Sequence, residues 1–230
     1  MKLFLMLMIA SFTYIYASVI GSVEYVQGNV KVKSSQSIKK VKVQQGYQIQ
    51  EGDIITSYKD SYAKIVLVDN STLVLDADSI VHFGSASELA QEKGRVYYKV
   101  TSKKVKNSFK VKTDFAIIGI KGTTFIVKAE EQKEVLLQEG LVGINSIKEE
   151  FELYRKKINA DFEAFKAQQQ QGFEEYKNGY SGYEKVMTTK AFDLQKQNKL
   201  SFDQNLVKED SFEKDDYKEF EYFEKLIDEI

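Results

Sequence analysis

The sequence contains no cysteine, no proline and no tryptophan, and it has a single histidine. Without cysteine the chain can form no disulfide, so a compact domain must be stabilised by its apolar core. One histidine without thiols also argues against the common zinc and thiol-dependent sites. Because proline is missing, turns depend on glycine, asparagine, aspartate and serine.

Long apolar segments are also lacking, apart from a short one at the N terminus. Lys2 precedes an uninterrupted apolar run over residues 3–10, and hydroxyl-containing residues then lead to Ala17. This run is shorter than the roughly 20 residues of a membrane span. A positive charge, a short apolar stretch and a small residue are typical of an export signal. We therefore predict a Sec-type signal peptide over residues 1–17, cleaved before Ser18, and a periplasmic protein with no integral membrane span. Retention of the segment as a membrane anchor is the alternative.

The net charge of −1 conceals an asymmetry along the chain, because residues 1–147 are net basic and residues 148–230 are net acidic. Lysines of the first part occupy alternating positions, as at Lys31 and Lys33. This spacing is typical of a solvated sheet face rather than of a nucleic-acid patch. We expect no nucleic-acid partner.

Residues 20–147 consist of short segments in which apolar and polar residues alternate, separated by polar turns. For example, 62–68 and 72–75 flank the turn residues 69–71, which predicts a hairpin. Its core-facing side chains would be Ala63, Ile65, Leu67, Leu73 and Leu75. Helix-length patterns are absent here, and strands spaced about 8 to 12 residues apart predict an all-β sandwich, roll or solenoid-like stack.

An ordered series of motifs lies within this region. It includes Glu51-Gly-Asp-Ile-Ile-Thr56, Gly94-Arg-Val-Tyr-Tyr98, Gly122-Thr-Thr-Phe125 and Glu139-Gly140. In this order the motifs resemble the FecR domain, an extracytoplasmic β domain of iron-transport sigma-factor regulators and of many exported bacterial proteins. The resemblance covers about residues 20–146. It implies a periplasmic binding or scaffold module of a Gram-negative bacterium.

The resemblance concerns the domain and not a complete regulator. A FecR-type regulator has a cytoplasmic anti-sigma segment and a membrane helix before this domain, whereas here we expect the export signal alone. The residues that carry the resemblance are expected to be structural, supplying unusual backbone angles, turn caps, strand contacts and core volume. They are Gly52, Asp53, Thr56, Gly122, Thr123, Phe125, Glu139 and Gly140.

The pattern changes after residue 147, where aromatic residues followed by acids recur about every 11 residues, the spacing of three helical turns. Such side chains share one face of a helix. We therefore predict an acidic helical tail over residues 147–230, with helices near 147–178 and between 184 and 228. Its predicted interaction face comprises Phe151, Tyr154, Phe162, Phe165, Phe173, Tyr176 and Tyr180.

An aromatic stripe of this kind must be covered by something. It could pack on itself or on the β domain, form a coiled coil with a second copy or with an envelope protein, or bind peptidoglycan. The three alternatives remain open at this point.

No set of side chains carries a recognisable reaction. The lone His82 has no cysteine or second histidine to share a metal with, and no Ser-His-Asp arrangement can be assembled around it. Asp76 and Asp78 together supply too few oxygens for calcium. We predict no catalytic, metal or cofactor site.

The chain is thus divided into a signal peptide (1–17), a FecR-like β domain (18–146) and a helical tail (147–230). The expected function is that of a non-enzymatic periplasmic binding or scaffold protein. The alternative is a membrane-anchored accessory of a FecR-type, iron-uptake-like signalling relay at the cell surface.

Overall fold

The computed structural model describes residues 18–101, 109–156 and 182–228. Within these ranges the chain forms nineteen strands and one helix. The first ten strands are β1 (Val19–Gln27), β2 (Val30–Lys33), β3 (Lys40–Lys42), β4 (Gln48–Gln50), β5 (Asp53–Ser57), β6 (Tyr62–Leu67), β7 (Thr72–Leu75), β8 (Ile80–Ser85), β9 (Glu88–Lys99) and β10 (Phe109–Lys112). The remaining elements are β11 (Ile117–Ile120), β12 (Thr124–Ala129), β13 (Lys133–Glu139), β14 (Val142–Asn145), β15 (Phe151–Lys156), β16 (Tyr183–Thr189), β17 (Ala191–Leu194), β18 (Asn198–Asp203), β19 (Leu206–Ser211) and α1 (Lys214–Asp228).

The strands form two hydrogen-bonded runs that share β9. The first run has the order β4-β1-β6-β7-β9-β12-β13-β18-β19-β15-β16. The second has the order β3-β2-β5-β8-β9-β10-β11-β14-β17. These neighbours are antiparallel except for the parallel pairs β9–β10 and β15–β19.

Strand β9 passes from one run to the other at Gly94. Residues 88–93 pair with β8, and residues 94–99 pair with β12. Gly94 has a φ of +88°, and a Cβ there would lie 2.5 Å from the Cα of Ser79. Only glycine fits this bend, because it lacks a side chain and tolerates positive φ.

One cluster of buried apolar side chains contains residues from both runs, so the runs enclose a common core. Ile65 and Leu73 enter it from the first run, and Ile55 and Val81 enter it from the second. Burial of this apolar surface is the main stabilising contribution, at about 25 cal/mol per Å². The predicted β architecture of this part of the chain is thereby confirmed in its coarse form.

The predicted hairpin is also confirmed. Strands β6 and β7 pair antiparallel, and Asn70 at their turn has a φ of +64°. All five side chains predicted to face the core are buried, namely Ala63, Ile65, Leu67, Leu73 and Leu75.

The predicted helical tail is wrong for most of its described part. Residues 151–156 and 183–211 form β15 to β19, and helix is confined to Lys214–Asp228. Strand β18 pairs with β13, and β17 pairs with β14. Burial also alternates along β18, where Leu200 and Phe202 face inward. Apolar and polar residues alternate in these segments, and partner strands are available to pair with them. These two factors decided the structure, although the aromatic residues have a helical spacing. Residues 157–181, which hold much of that spacing, lie outside the described residues.

Helix α1 covers the outer face of the first run. Its Phe220 and Phe223 form a second apolar cluster with side chains of β7, β9, β12 and β13, which are Val74, Tyr97, Ile126 and Leu136. At its start, Asp216 Oδ2 accepts a hydrogen bond from the Glu213 backbone N–H at 2.7 Å, which caps the first turn. In the described part of the chain no helix has the length and apolar character needed to cross a bilayer.

Candidate interaction surfaces

The β4–β5 turn is fastened by two of the residues that carry the FecR resemblance. Asp53 is fully buried, and its Oδ2 accepts hydrogen bonds from the Tyr47 hydroxyl at 2.9 Å and the Gln50 backbone N–H at 3.1 Å. Partial burial, together with this bond to Asp53, raises the pKa of Tyr47 to about 12. Gly52 has a φ of +88°, and a Cβ there would meet the Cβ of Ser35 at 2.7 Å. This turn therefore holds the β2–β3 loop close to β5.

A second tight turn joins Gly122, Thr123 and Gly140. The backbones of Thr123 and Val100 exchange two hydrogen bonds, of 2.8 and 3.1 Å. Gly140 has a φ of +91°, and a Cβ there would lie 2.6 Å from the carbonyl oxygen of Gly122, whose own φ is +61°. The turn therefore depends on the absence of a side chain at residue 140.

The other three residues of this set lie on strands. Phe125 is fully buried and stacks on the Tyr98 ring with centroids 4.8 Å apart. Glu139 is exposed and pairs with Thr124 across β12 and β13. Thr56 Oγ1 accepts a hydrogen bond from Lys40 Nζ at 3.2 Å.

The two described members of the predicted aromatic face, Phe151 and Tyr154, do not share a face. Phe151 is buried and lies edge-on to Phe202, with centroids 5.9 Å apart. The Tyr154 hydroxyl donates a hydrogen bond to Glu152 at 3.3 Å, and both side chains lie on the face of β15 opposite to Phe151. Side chains three positions apart share a face in a helix but not in a strand. The other members, Phe162, Phe165, Phe173, Tyr176 and Tyr180, lie outside the described residues.

The titratable residues considered for chemistry are engaged in ordinary contacts. His82 Nε2 lies 2.7 Å from Glu92 Oε2, and both side chains are exposed. Asp76 accepts from Arg95 Nε at 2.9 Å and from the Tyr222 hydroxyl at 3.2 Å, while Asp78 lies in a turn with a φ of +54°. Across residues 18–101, 109–156 and 182–228, no three histidine, cysteine or acidic side chains are grouped to hold a metal ion.

The structure reveals a charged contact zone between α1 and the sheet that the sequence analysis did not predict. Lys128 Nζ lies 2.5 Å from Glu219 Oε1 and 3.0 Å from Glu134 Oε2, and Lys199 Nζ lies 3.0 Å from Asp216 Oδ2. Burial alone would lower the pKa of Lys128, but its bonds to the two glutamates outweigh burial and raise it. The acidic residues of the last helix and the lysines of the strands were the sequence features that could have predicted this contact.

Strand β16 is a second feature that the sequence analysis missed. It pairs with β15 and, among the described residues, with no other strand. Its first six residues are exposed, including Tyr183, Val186 and Met187 at 38 to 40%. The register shifts once: Leu153 lies opposite Met187 and Tyr154 lies opposite Lys185, so Val186 forms a bulge in β16. The first run thus ends in an exposed edge strand with apolar side chains.

Comparisons with known proteins were consistent with the motif analysis. Residues 53–143 match the family described as FecR protein. No significant match was found among curated proteins. Two crystal structures of a protein from Parabacteroides distasonis, described as an anti-sigma factor, share 14% identity with this chain, at TM-scores of 0.46 and 0.45. In each case the alignment covers 69% of this chain and 59% of theirs.

A third solved structure, described as a cell surface anchoring domain, has a TM-score of 0.27 and 26% identity, covering 29% of this chain and 86% of its own. The family match over residues 53–143 includes seven of the eight residues on which the resemblance was based, and Gly52 immediately precedes it. The predicted resemblance is confirmed for residues 53–143, which form a FecR domain.

Proposed function

We propose that this chain is a non-enzymatic binding protein of the cell envelope, in which the FecR domain and the C-terminal strands form one scaffold and the edge strand β16 binds a partner protein. The exposure of β16 is the observation that carries this proposal. The unpaired backbone groups of an edge strand can accept an added strand from another protein. Tyr183, Val186 and Met187 would supply side-chain contacts.

Two of the other three edge strands, β3 and β4, are less suited to strand addition. Strand β3 carries Lys40 and Lys42, and lysines on an edge oppose pairing with further strands. Strand β4 has three residues, whereas β16 has seven. The bulge in β16 interrupts its ladder, so it favours a partner of matching shape over unlimited stacking.

A binding role also agrees with the state of the acids that were considered for chemistry. The carboxylate of Asp76 is held by Arg95 and Tyr222, and these groups fasten α1 to the sheet. A carboxylate committed to such contacts is poorly placed to act as a general acid or base. We place the protein in the periplasm after removal of residues 1–17.

Site-specific photo-crosslinking in cells tests the proposed partner surface. A photoreactive residue at Thr188 on β16 is expected to trap one envelope protein, and the same probe at the exposed Gln132 is the control. The substitution Val186→Lys should remove the adduct, because a charge on the edge opposes strand addition. The matched substitution Val41→Lys on β3 should leave it unchanged. Equal adducts at both probe positions, or an adduct insensitive to Val186→Lys, would contradict the proposal.

The FecR domain itself favours a second function, that of an accessory in a FecR-type signalling relay. That function would require residues 1–17 to remain as a membrane anchor next to a separate cytoplasmic partner. Mass spectrometry of the mature N terminus distinguishes the two. A chain that starts at Ser18 excludes the anchored version, and a chain that retains residues 1–17 supports it.

A further inference from the structure

Four lysines form a block on the hairpin of β2 and β3, which we call the lysine hairpin (residues 30–42). In the antiparallel register Lys31 lies opposite Lys42, and Lys33 lies opposite Lys40. The intervening Val32 is buried in the core, so the lysines share the other face of the sheet. Directly opposed like charges destabilise a strand pair. The arrangement therefore has a cost within the isolated protein.

Nothing in the described structure neutralises this block. The sequence has no acidic residue between Glu24 and Glu51. In the part of the chain that the structure describes, Lys31, Lys33, Lys39, Lys40 and Lys42 make no ion pair.

The side chains of Lys31 and Lys40 contact uncharged groups. Lys31 and Lys40 lie 5.4 and 5.9 Å from the centroid of the Tyr58 ring, and Lys40 also donates to Thr56. A cation over an aromatic face is favourable but retains its full charge. The hairpin thus presents a concentrated positive surface to its surroundings.

The loop of the hairpin carries an apolar side chain as well. Ile38 is 91% exposed and is followed directly by Lys39 and Lys40. Protection of the sheet edge accounts for lysines on β3. It does not account for Lys31 and Lys33 on the interior strand β2, nor for an isoleucine held in water.

The lysine hairpin lies beside the start of the described chain. The Ser18 carbonyl oxygen accepts a hydrogen bond from the Glu51 N–H at 3.1 Å. The next residue, Gly52, packs so closely on Ser35 that a Cβ would lie 2.7 Å from the serine Cβ. The hairpin loop is therefore next to the point where the apolar N-terminal sequence joins the domain. If that sequence is retained as an anchor, it holds the hairpin at a membrane surface.

We infer that the lysine hairpin binds the surface of an anionic lipid bilayer. Its lysines would contact lipid phosphates, and Ile38 would enter the interfacial layer. Each lysine near an anionic surface strengthens binding by about fivefold, and this attraction decays within about 10 Å at moderate salt. The inference goes beyond the proposed protein partner and does not depend on it, because β16 and the hairpin are different edges.

The absence of cysteine allows single-site labelling of the chain that begins at Ser18, the form proposed above for the periplasm. A polarity-sensitive fluorophore is attached to Gln36→Cys at the hairpin loop, and the control label is attached to Gln132→Cys. Vesicles contain phosphatidylcholine alone or phosphatidylcholine with one third phosphatidylglycerol. With the anionic vesicles we expect a blue shift at position 36 and little change at 132. About 0.5 M salt should abolish the shift, because it shortens the screening length to a few ångströms.

Two charge variants then separate the hairpin from the general electrostatic attraction of the protein. The triple variant Lys39→Gln, Lys40→Gln, Lys42→Gln should bind anionic vesicles on the order of 100-fold more weakly, because each lysine contributes about fivefold. The matched triple Lys99→Gln, Lys121→Gln, Lys190→Gln removes the same charge from other exposed sites and should bind like the parent. Ile38→Ser should reduce the blue shift. Circular dichroism checks that all variants fold.

Three results would overturn the inference. One is equal weakening by both triple variants, and another is an equal shift with neutral and anionic vesicles. The third is tight binding of a polyglutamate peptide at position 36 without any response to anionic vesicles, which would assign the hairpin to an acidic protein segment instead.

Discussion

At the residue scale, two adjacent tyrosines on β9 show how differently a buried hydroxyl can be placed. Tyr98 faces the common core and donates a hydrogen bond to Gln91 Oε1 at 2.9 Å. Tyr97 faces α1, stacks on Phe223 at 5.4 Å and has no hydrogen-bond partner for its hydroxyl among the described residues. Burial raises the pKa of both hydroxyls. A buried polar group without a partner costs free energy, whereas a satisfied one does not.

The two tyrosines therefore predict opposite responses to removal of the hydroxyl. Tyr97→Phe should leave the free energy of unfolding unchanged or raise it by up to about 1 kcal/mol. Tyr98→Phe should lower it by about 1 to 3 kcal/mol, because Gln91 Oε1 loses its donor. Urea denaturation measures both values, and equal losses would show that the Tyr97 hydroxyl has a partner.

Two glycines with similar φ angles allow the cost of backbone strain to be distinguished from the cost of a steric clash. Gly140 has a φ of +91° and Gly46 a φ of +84°, but a Cβ at Gly46 meets nothing within 4 Å. Gly46→Ala should cost about 1 kcal/mol of unfolding free energy from backbone strain alone. Gly140→Ala adds a clash with Gly122 and Thr123 and should cost at least about 2 kcal/mol. Thermal or urea unfolding gives the comparison, and similar losses would contradict it.

At the element scale, α1 is attached to the sheet by two aromatic anchors with charges around them. Phe220 and Phe223 are almost fully buried. Around them, the Arg95 guanidinium lies 5.3 Å from the centroid of the Tyr222 ring, and Gln138 Nε2 donates to Glu224 at 3.3 Å. Ion pairs that retain solvent contact contribute little by themselves. The apolar contacts should therefore dominate the attachment of the helix.

We accordingly predict that Phe223→Ala lowers the free energy of unfolding by about 3 to 5 kcal/mol, or detaches α1 as a unit. Tyr217→Ala on the exposed side of the same helix should cost less than about 1 kcal/mol. Hydrogen exchange of α1 amides distinguishes global unfolding from local detachment. Unchanged exchange and stability in Phe223→Ala would show that the charged contacts hold the helix.

The same scale shows why short-range patterns succeeded in one part of the chain and failed in another. The hairpin of β6 and β7 was predictable because its alternation and its Asp-Asn-Ser turn lie within fourteen residues of each other. Strand β18 was not, since its partner β13 lies more than sixty residues earlier. The aromatic spacing near β18 suggested a helix. The alternation of buried and exposed residues could be recognised as a strand only from its pairing with β13.

At the scale of the whole molecule, the strands after residue 146 continue the sheets of the FecR domain. Strands β13 and β14 are each covered on one edge by β18 and β17. The outer face at Leu136 is covered by α1. Removing these elements would expose both strand edges and apolar side chains, which is a condition for aggregation.

A chain ended at residue 146 should therefore aggregate or fail to unfold cooperatively. A chain ended at residue 212, which lacks only α1, should keep its β spectrum and lose stability, because it uncovers one apolar face and no strand edge. Gel filtration and circular dichroism during heating provide the measurements. A monomeric, cooperatively folded 1–146 chain would show that the FecR domain needs none of the later strands.

Taken alone, the amino-acid sequence determined the β character of residues 20–147, the β6–β7 hairpin and its core side chains, and the FecR domain. These features follow from local alternation, turn chemistry and ordered motifs. Tertiary structure alone decided that residues 183–211 are strands, that Phe151 and Tyr154 point to opposite faces, and that four lysines are opposed on one hairpin. Each of these depends on which distant segment pairs with which, and in what register. A one-residue change in register would turn the same side chains to the other face of the sheet.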